Sequence, residues 1–319
     1  MDTILLRYGV GPLLYCPAAN ATVANSLISE KFGKNFSLAL CLEDTIDDSH
    51  VEEAENTLID TLTTLSNAIN DHTFYIPKIF VRVRSPKQIS NLYNRFKKAK
   101  SIVKGFIIPK ISLENADDYI NQIIEVNAQS EETVYMMPIF ENISMIHLQH
   151  RYSILYGLKE KLDGISDLIL NIRVGGNDLC HAFGFRRKSN ESIYDIKPVA
   201  NILSDVSTVF GMDYVVSGPV WEYYNGYHWK NGLEQELQKD RLNGFVGKTV
   251  IHPKQIPFVN KAYMVSNQDY EDAAAILNWN KDSTLLVSGN TTMDRMNEYK
   301  THHNWAKKII ALSQAYGIK

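Results

Sequence analysis

Eight short apolar runs punctuate the chain: LLYCP (13–17), SLALCLED (37–44), KIFVRVR (78–84), GFIIPK (105–110), VYMMPIFE (134–141), DLILNIR (167–173), DYVVSGP (213–219) and KTVIHP (248–253). Each is nearly continuous in aliphatic and β-branched residues rather than alternating, the pattern of a strand covered on both faces. The intervening segments have helical spacing. SHVEEAENTLIDTLTTLSNAI (49–69) opens on acidic residues and repeats apolar ones every three or four positions, and SPKQISNLYNRFKKAK (85–100) behaves likewise. Eight buried strands alternating with helices predict an α/β fold, a closed (β/α)8 TIM barrel over residues 1–265, better than an open doubly wound sheet. The pattern then changes. SNQDYEDAAAILNW starts with Ser266 and Asp269 at capping-box spacing, LLVSGNTTMDRMN (285–297) reads as a loop, and YKTHHNWAKKIIALSQAY (299–316) as a final helix. Residues 266–319 are therefore expected to form a C-terminal helical extension, a lid or an oligomerisation segment.

Composition adds exclusions. With 45% hydrophobic and 22% charged residues the chain has ordinary globular character and can bury a large core. The net charge of −3, without a basic run, excludes an electrostatic footprint for nucleic acid or an anionic membrane, so an anionic ligand must be met by individual side chains. Cys16, Cys41 and Cys180 are widely spaced and form neither a disulfide framework nor a zinc knuckle. A reducing, cytoplasmic location is expected, because no basic-then-apolar leader and no 18-residue apolar span are present.

In such barrels the chemistry sits at the carboxyl ends of the strands. There the sequence places Glu43 and Asp44, Arg82 and Arg84, Lys110, Glu141, Asp178 and His252. Strand alternation puts Arg82 and Arg84 on one face, as two guanidiniums in need of anions. Glu141 and Asp178, on consecutive strands, bring together two carboxylates that repel unless one is protonated or a cation lies between them. Mg²⁺ (or Mn²⁺) suits such a pair; ion pairing to Arg82 and Lys110 is the structural alternative. In NIRVGGNDL the break at Gly175 and Gly176 either wraps a phosphate or turns the chain so that Asp178 reaches the site; neither GxGxxG nor GxxxxGK[ST] is present. His252 is expected to be a structural hydrogen bonder, His147 and His150 surface residues, and WEYYNGYHW (221–229) packing.

LYCPAAN, ALCLEDTI, VRVRS, IIPKI, PIFEN, RVGGNDL, SGP and GFVGKTVIHPKQI, in this order across residues 13–256, resemble the HpcH/HpaI aldolase and citrate lyase β-subunit family, in particular its C–C bond lyase branch. The resemblance implies a (β/α)8 barrel with a C-terminal extension, a homo-oligomer (trimer or hexamer), and Mg²⁺ or Mn²⁺ held by Glu141 and Asp178. It implies Arg82 as substrate-binding and catalytic, Glu43 and Asp44 as the acidic pair of the LED motif, and Asp294 as an acid contributed across a subunit interface. Arg84, Lys110, Gly175, Gly176 and Asn177 are the further substrate-binding candidates. Relatives using coenzyme A read RVN at Arg82-Val83-Arg84 and DGP at Ser217-Gly218-Pro219. These departures count against a coenzyme A thioester without removing it, and point to an added carboxylate or phosphate. The expected activity is metal-assisted aldol or Claisen-type cleavage or condensation of a small 2-oxo or 2-hydroxy acid or its acyl thioester. Arg82 would bind a carboxylate or the developing oxyanion, and Glu43, Asp44 and a water on the metal all remain candidate bases. The rival readings are a metal-dependent thioester hydrolase or malate-synthase-like enzyme on the same barrel, and a non-catalytic metabolite-binding barrel.

Overall fold

The structure is a computed structural model, described here for residues 3–71, 73–280 and 284–319. Each of the eight apolar runs supplies one strand: β1 (Pro12–Pro17), β2 (Ser37–Cys41), β3 (Lys78–Arg82), β4 (Val103–Ile108), β5 (Tyr135–Phe140), β6 (Ile172–Val174), β7 (Val216–Ser217) and β8 (Lys248–Val250). They pair in parallel in the order β7-β6-β5-β4-β3-β2-β1-β8. A parallel bridge between Gly218 and Lys248 brings the two ends of that order together. The result is the (β/α)8 TIM barrel that the alternation of strands and helices predicts.

The side chains divide by strand parity. Leu13, Ala39, Phe80, Ile107, Met137, Ile139 and Leu170 fill the barrel interior, with Tyr15 packed against them. Leu14, Leu38, Leu40, Val81, Phe106, Phe140, Ile172, Val174 and Val250 instead belong to the layer between sheet and helices. The same parity directs Tyr15, Arg82 and Glu141 inward, and Arg173 and Thr249, which alternate with the outer-layer residues Ile172, Val174 and Val250, join them above the apolar plug.

One buried ionic network locks the wall beside this plug. Lys248 on β8, fully buried, donates to Glu236 Oε1 at 2.9 Å and Asp240 Oδ2 at 2.8 Å on the helix Trp229–Leu242. Tyr194 donates to Asp240 at 2.7 Å and the Ile193 amide to Glu236 at 2.8 Å, so the remaining lone pairs are also used.

After the barrel, the helix Asn267–Leu277 is capped by Ser266, whose hydroxyl accepts from the Asp269 amide at 3.1 Å. The stretch 285–297, expected to be a loop, contains an antiparallel hairpin, β9 (Val287–Gly289) and β10 (Met296–Glu298). Its turn is tied by the Asn290 carboxamide, which donates to Asp294 at 2.7 Å and accepts from the Asp294 amide at 3.1 Å; sequence periodicity has no signal for that bracing. The helix Tyr299–Tyr316 packs Ala306 against Ala273 and Ile276. It returns to its own barrel, where Tyr316 donates to the Tyr8 carbonyl at 3.1 Å and Lys308 to the Gly244 carbonyl at 3.1 Å. Among the described residues no helix is long and apolar enough to cross a membrane.

Candidate active site

A cavity of about 420 Å³ opens over the inward layer, lined among others by Tyr15, Asp44, Arg82, Glu141, Arg173 and Asp178. Arg82, the last residue of β3, is at its centre. One guanidinium nitrogen, Nη2, lies 2.8 Å from Glu43, 3.0 Å from Asp44 and 3.0 Å from Glu141. Its Nε is buried without a partner. The fork is thus crowded with acceptors on one tip and has none on its side. Burial disfavours the charge, but Glu141 and the other acceptors outweigh it and raise the pKa, so Arg82 stays a cation.

The acids of the second strand leave the sheet to meet Arg82. β2 ends at Cys41, short of the expected Asp44, because Glu43 and Asp44 turn toward Arg82 and Lys110. Lys110 adopts a positive φ of 47° after β4, its Nζ reaching Glu43 at 2.6 Å and Asp44 at 2.7 Å. Its amide donates to Glu141 at 3.1 Å. Desolvation and the bond to Asp44 push the Glu43 carboxyl up. Asp44 is less buried, and although desolvation opposes it, the bonds from Glu43 and Lys110 hold its pKa down at about 2. The two interact directly and so titrate as a pair.

Glu141 follows β5 and is almost completely buried. Beside it the chain leaves β6 through Gly175 and enters the short helix Gly176–Ala182, whose first turn carries Asp178. Gly175 is required there for space: a Cβ at this position would lie 2.0 Å from Glu141 Oε2. Burial first, and then the neighbouring Asp178 carboxylate, drive the Glu141 pKa up to about 8 against the pull of Arg82. The glycine pair thus seats one carboxylate against another.

Arg82, Asp44, Glu141, Gly175, Gly176, Asn177 and Asp178 line one cavity. Glu43 and Lys110 stand behind Asp44 and engage each other, not the lumen. Two candidates lie apart. Because β3 stops at Arg82, alternation does not continue to Arg84, which turns outward to Asp48 at 2.5 Å. Asp294 is exposed in the hairpin turn, bonded to Gln268 and Asn290, and within its own chain it does not line the cavity. His252 caps the turn that follows it, its Nδ1 accepting from the Lys254 amide at 3.1 Å; His147 and His150 are exposed. The aromatic patch buries Trp221 and Trp229 and leaves Tyr227 at the surface. The cavity also presents Tyr15, Arg173, Thr249 and His181, which the sequence reading passed over. Arg173 had a signal: a lone cation inside an apolar run, as with Arg82.

A divalent cation fits this donor set. Glu141 and Asp178 set two mutually repelling carboxylates at the cavity, Glu141 being paired with Arg82. Among the described residues no three His, Cys, Asp or Glu side chains form a closed cage. One or two carboxylates with open positions are what Mg²⁺ accepts, whereas a structural zinc site would require a full set of protein ligands.

Solved structures repeat the fold. A CitE protein from Mycobacterium tuberculosis, in complex with magnesium, acetoacetate and coenzyme A, superposes with a TM-score of 0.62 at 18% identity over 97% of this chain and 99% of that one. A citrate lyase β subunit from M. tuberculosis complexed with oxaloacetate and magnesium gives 0.53 at 19% identity over 81% and 98%. RipC from Yersinia pestis gives 0.53 at 14% over 80% and 95%. No curated protein matches the sequence. The family model for the C–C bond lyases of the TIM-barrel fold matches residues 4–318, and the chain belongs to that family.

Proposed function

We propose that the protein is a Mg²⁺-dependent carbon–carbon lyase that cleaves or forms a bond by aldol or Claisen-type chemistry in a small 2-oxo or 2-hydroxy acid. The observation that carries this reading is the pair of carboxylates Glu141 and Asp178 at one cavity, close enough for Asp178 to help raise the Glu141 pKa, with Gly175 leaving room for Glu141. Neighbouring structures that hold magnesium with oxaloacetate or acetoacetate support the metal and the substrate class. One of them also holds coenzyme A, so an acyl thioester stays within the class.

Glu141 and Asp178 would hold the cation, which when bound acts as a Lewis acid toward the substrate's oxygens. The chain's own residues do the rest. Arg82 lines the cavity and would meet a substrate carboxylate or oxyanion with its guanidinium, Nη2 being anchored to the acids. Asp44 reaches the cavity and Glu43 backs it, so a hydroxyl proton taken at Asp44 is shared with the more basic Glu43. Lys110 holds both acids in place.

In this reading residues 1–265 are the catalytic barrel and residues 266–319 serve assembly, in a cytoplasmic homo-oligomer that presents Asp294 to a neighbour's cavity. Exposed Ile143, Leu148, Tyr152 and Tyr156, the last three at helical spacing on one face, support burial against another copy. The test is a cleavage assay over a panel of 2-oxo acids, 2-hydroxy acids and their thioesters with Mg²⁺. Turnover should vanish with EDTA and in Glu141→Gln. Metal-independent turnover, or none across the panel, counts against the proposal.

A further inference from the structure

Arg173 is the one cation lining the cavity without a carboxylate partner among the described residues. Its side chain is 1% exposed, on the floor of the cavity. Nη2 donates to Thr249 Oγ1 at 2.7 Å and Nη1 to Asn171 Oδ1 at 3.3 Å, and Tyr15 is its remaining hydrogen-bonding neighbour. All are neutral. Around it further donors lack acceptors: the Asn171 Nδ2 amide is buried without a partner, and so is the hydroxyl of Ser217, which pairs in register with Arg173 across β6 and β7. A buried guanidinium among neutral groups is costly unless an anion completes it. Glu43, Asp44 and Glu141 do not do so, being engaged by Arg82 or Lys110, and Asp178 is not within ion-pair distance of Arg173.

Arg173 pairs with Ile139, two residues before Glu141 on β5, and both Arg173 and Glu141 line the one cavity, so a single small molecule can meet Arg173 and the acids of the mouth together.

We infer that Arg173, with Thr249 and Tyr15, forms a second anion site that receives a distal carboxylate, so that the substrate is a dicarboxylic 2-oxo or 2-hydroxy acid. This rests on the lyase reading for the near end of the substrate and deepens it. It also moves the added anion, which the sequence suggested at Arg84, to a residue inside the barrel.

Two probes that differ only in the distal carboxylate, 2-oxoglutarate and 2-oxopentanoate, test the inference by calorimetric titration, with Mg²⁺ and without it. The wild-type protein should prefer 2-oxoglutarate by more than about tenfold, the scale of a charge-assisted hydrogen bond. Arg173→Met should lose that preference while binding 2-oxopentanoate unchanged, and should melt no lower than wild type, since it removes an unpaired buried charge. Arg173→Lys keeps the charge without the fork and should retain part of the preference. Equal or undetectable affinity for both probes in the wild type overturns the inference, and so does a preference that survives Arg173→Met. The metal-free arm separates this from the lyase reading. If Mg²⁺ changes nothing but the preference still depends on Arg173, the distal site stands and the metal assignment fails.

Discussion

Gly175→Ala puts a methyl group where Glu141 stands. The added Cβ would lie 2.0 Å from Glu141 Oε2 and 2.3 Å from its Cβ; ordinary contact begins near 3.4 Å, so the carboxylate must retreat by about 1.4 Å. Glu141 is not free to retreat, because Oε1 is bonded to Arg82 at 3.0 Å and to the Lys110 amide at 3.1 Å. The backbone is not the obstacle. Gly175 has φ −101°, a conformation open to alanine, so the penalty is steric. Overpacking of this kind costs ~1–3 kcal/mol, offset by ~0.4–1 kcal/mol from the stiffer unfolded chain, for a net loss of up to ~2.6 kcal/mol. Function should suffer more than stability, since a shift of ~1 Å at a reacting centre costs about a hundredfold. Urea denaturation measures the first and Mg²⁺ titration with the cleavage assay the second. Gly176→Ala is the control: its Cβ would meet the Ile193 methyl at 2.4 Å and Pro219 at 2.9 Å, so it should destabilise without removing metal binding. A Gly175→Ala protein with wild-type stability and Mg²⁺ affinity would refute the reasoning.

Lys248→Met should cost ~3–5 kcal/mol in urea, because Glu236 and Asp240 lose their closest cation in a fully buried site; a loss below ~1 kcal/mol contradicts this. Arg82→Lys retains the charge but cannot both anchor three carboxylates and present a free donor, so turnover should fall by more than about tenfold, and unchanged kinetics would make Arg82 structural only. The Glu141 carboxyl, raised from 4.5 to about 8, keeps a proton in the metal-free fold that the unfolded chain releases over that range. Stability without metal should therefore fall as pH rises from 4.5 to about 8, while Mg²⁺ affinity rises over the same window; flat profiles for both would count against the paired carboxylates. If the proposed assembly holds, Asp294→Asn should scatter light as the wild type does while losing activity, whereas deleting residues 266–319 should cost both assembly and activity; an active monomeric truncation removes Asp294 from the site.

The fold was legible because both faces of every strand are buried, which makes each one a dense apolar run. Strand ends were less so. β2 and β3 stop earlier than their apolar runs because Glu43, Asp44 and Arg84 leave the ladder for ion pairs, and long-range pairing has no local signature. For the same reason parity assigned Arg82 inward but failed two residues on at Arg84. Lys110 was read as a ligand contact and stands as a brace, since its direction depends on a positive φ at a non-glycine residue. Arg173 was missed although a cation inside an apolar run is a signal: the run reads as wall, and it is the cavity lining, with Ile139 and Ser217 as its register partners, that places it at the lumen.

The central claim is that Glu141 and Asp178 form a divalent-cation site. Crystals grown with Mn²⁺ and measured at the manganese absorption edge test it directly. The account predicts an anomalous peak within ~2 Å of a carboxylate oxygen of each residue, absent in Glu141→Gln. No peak there at saturating Mn²⁺, with Glu141 still paired to Arg82, would contradict it.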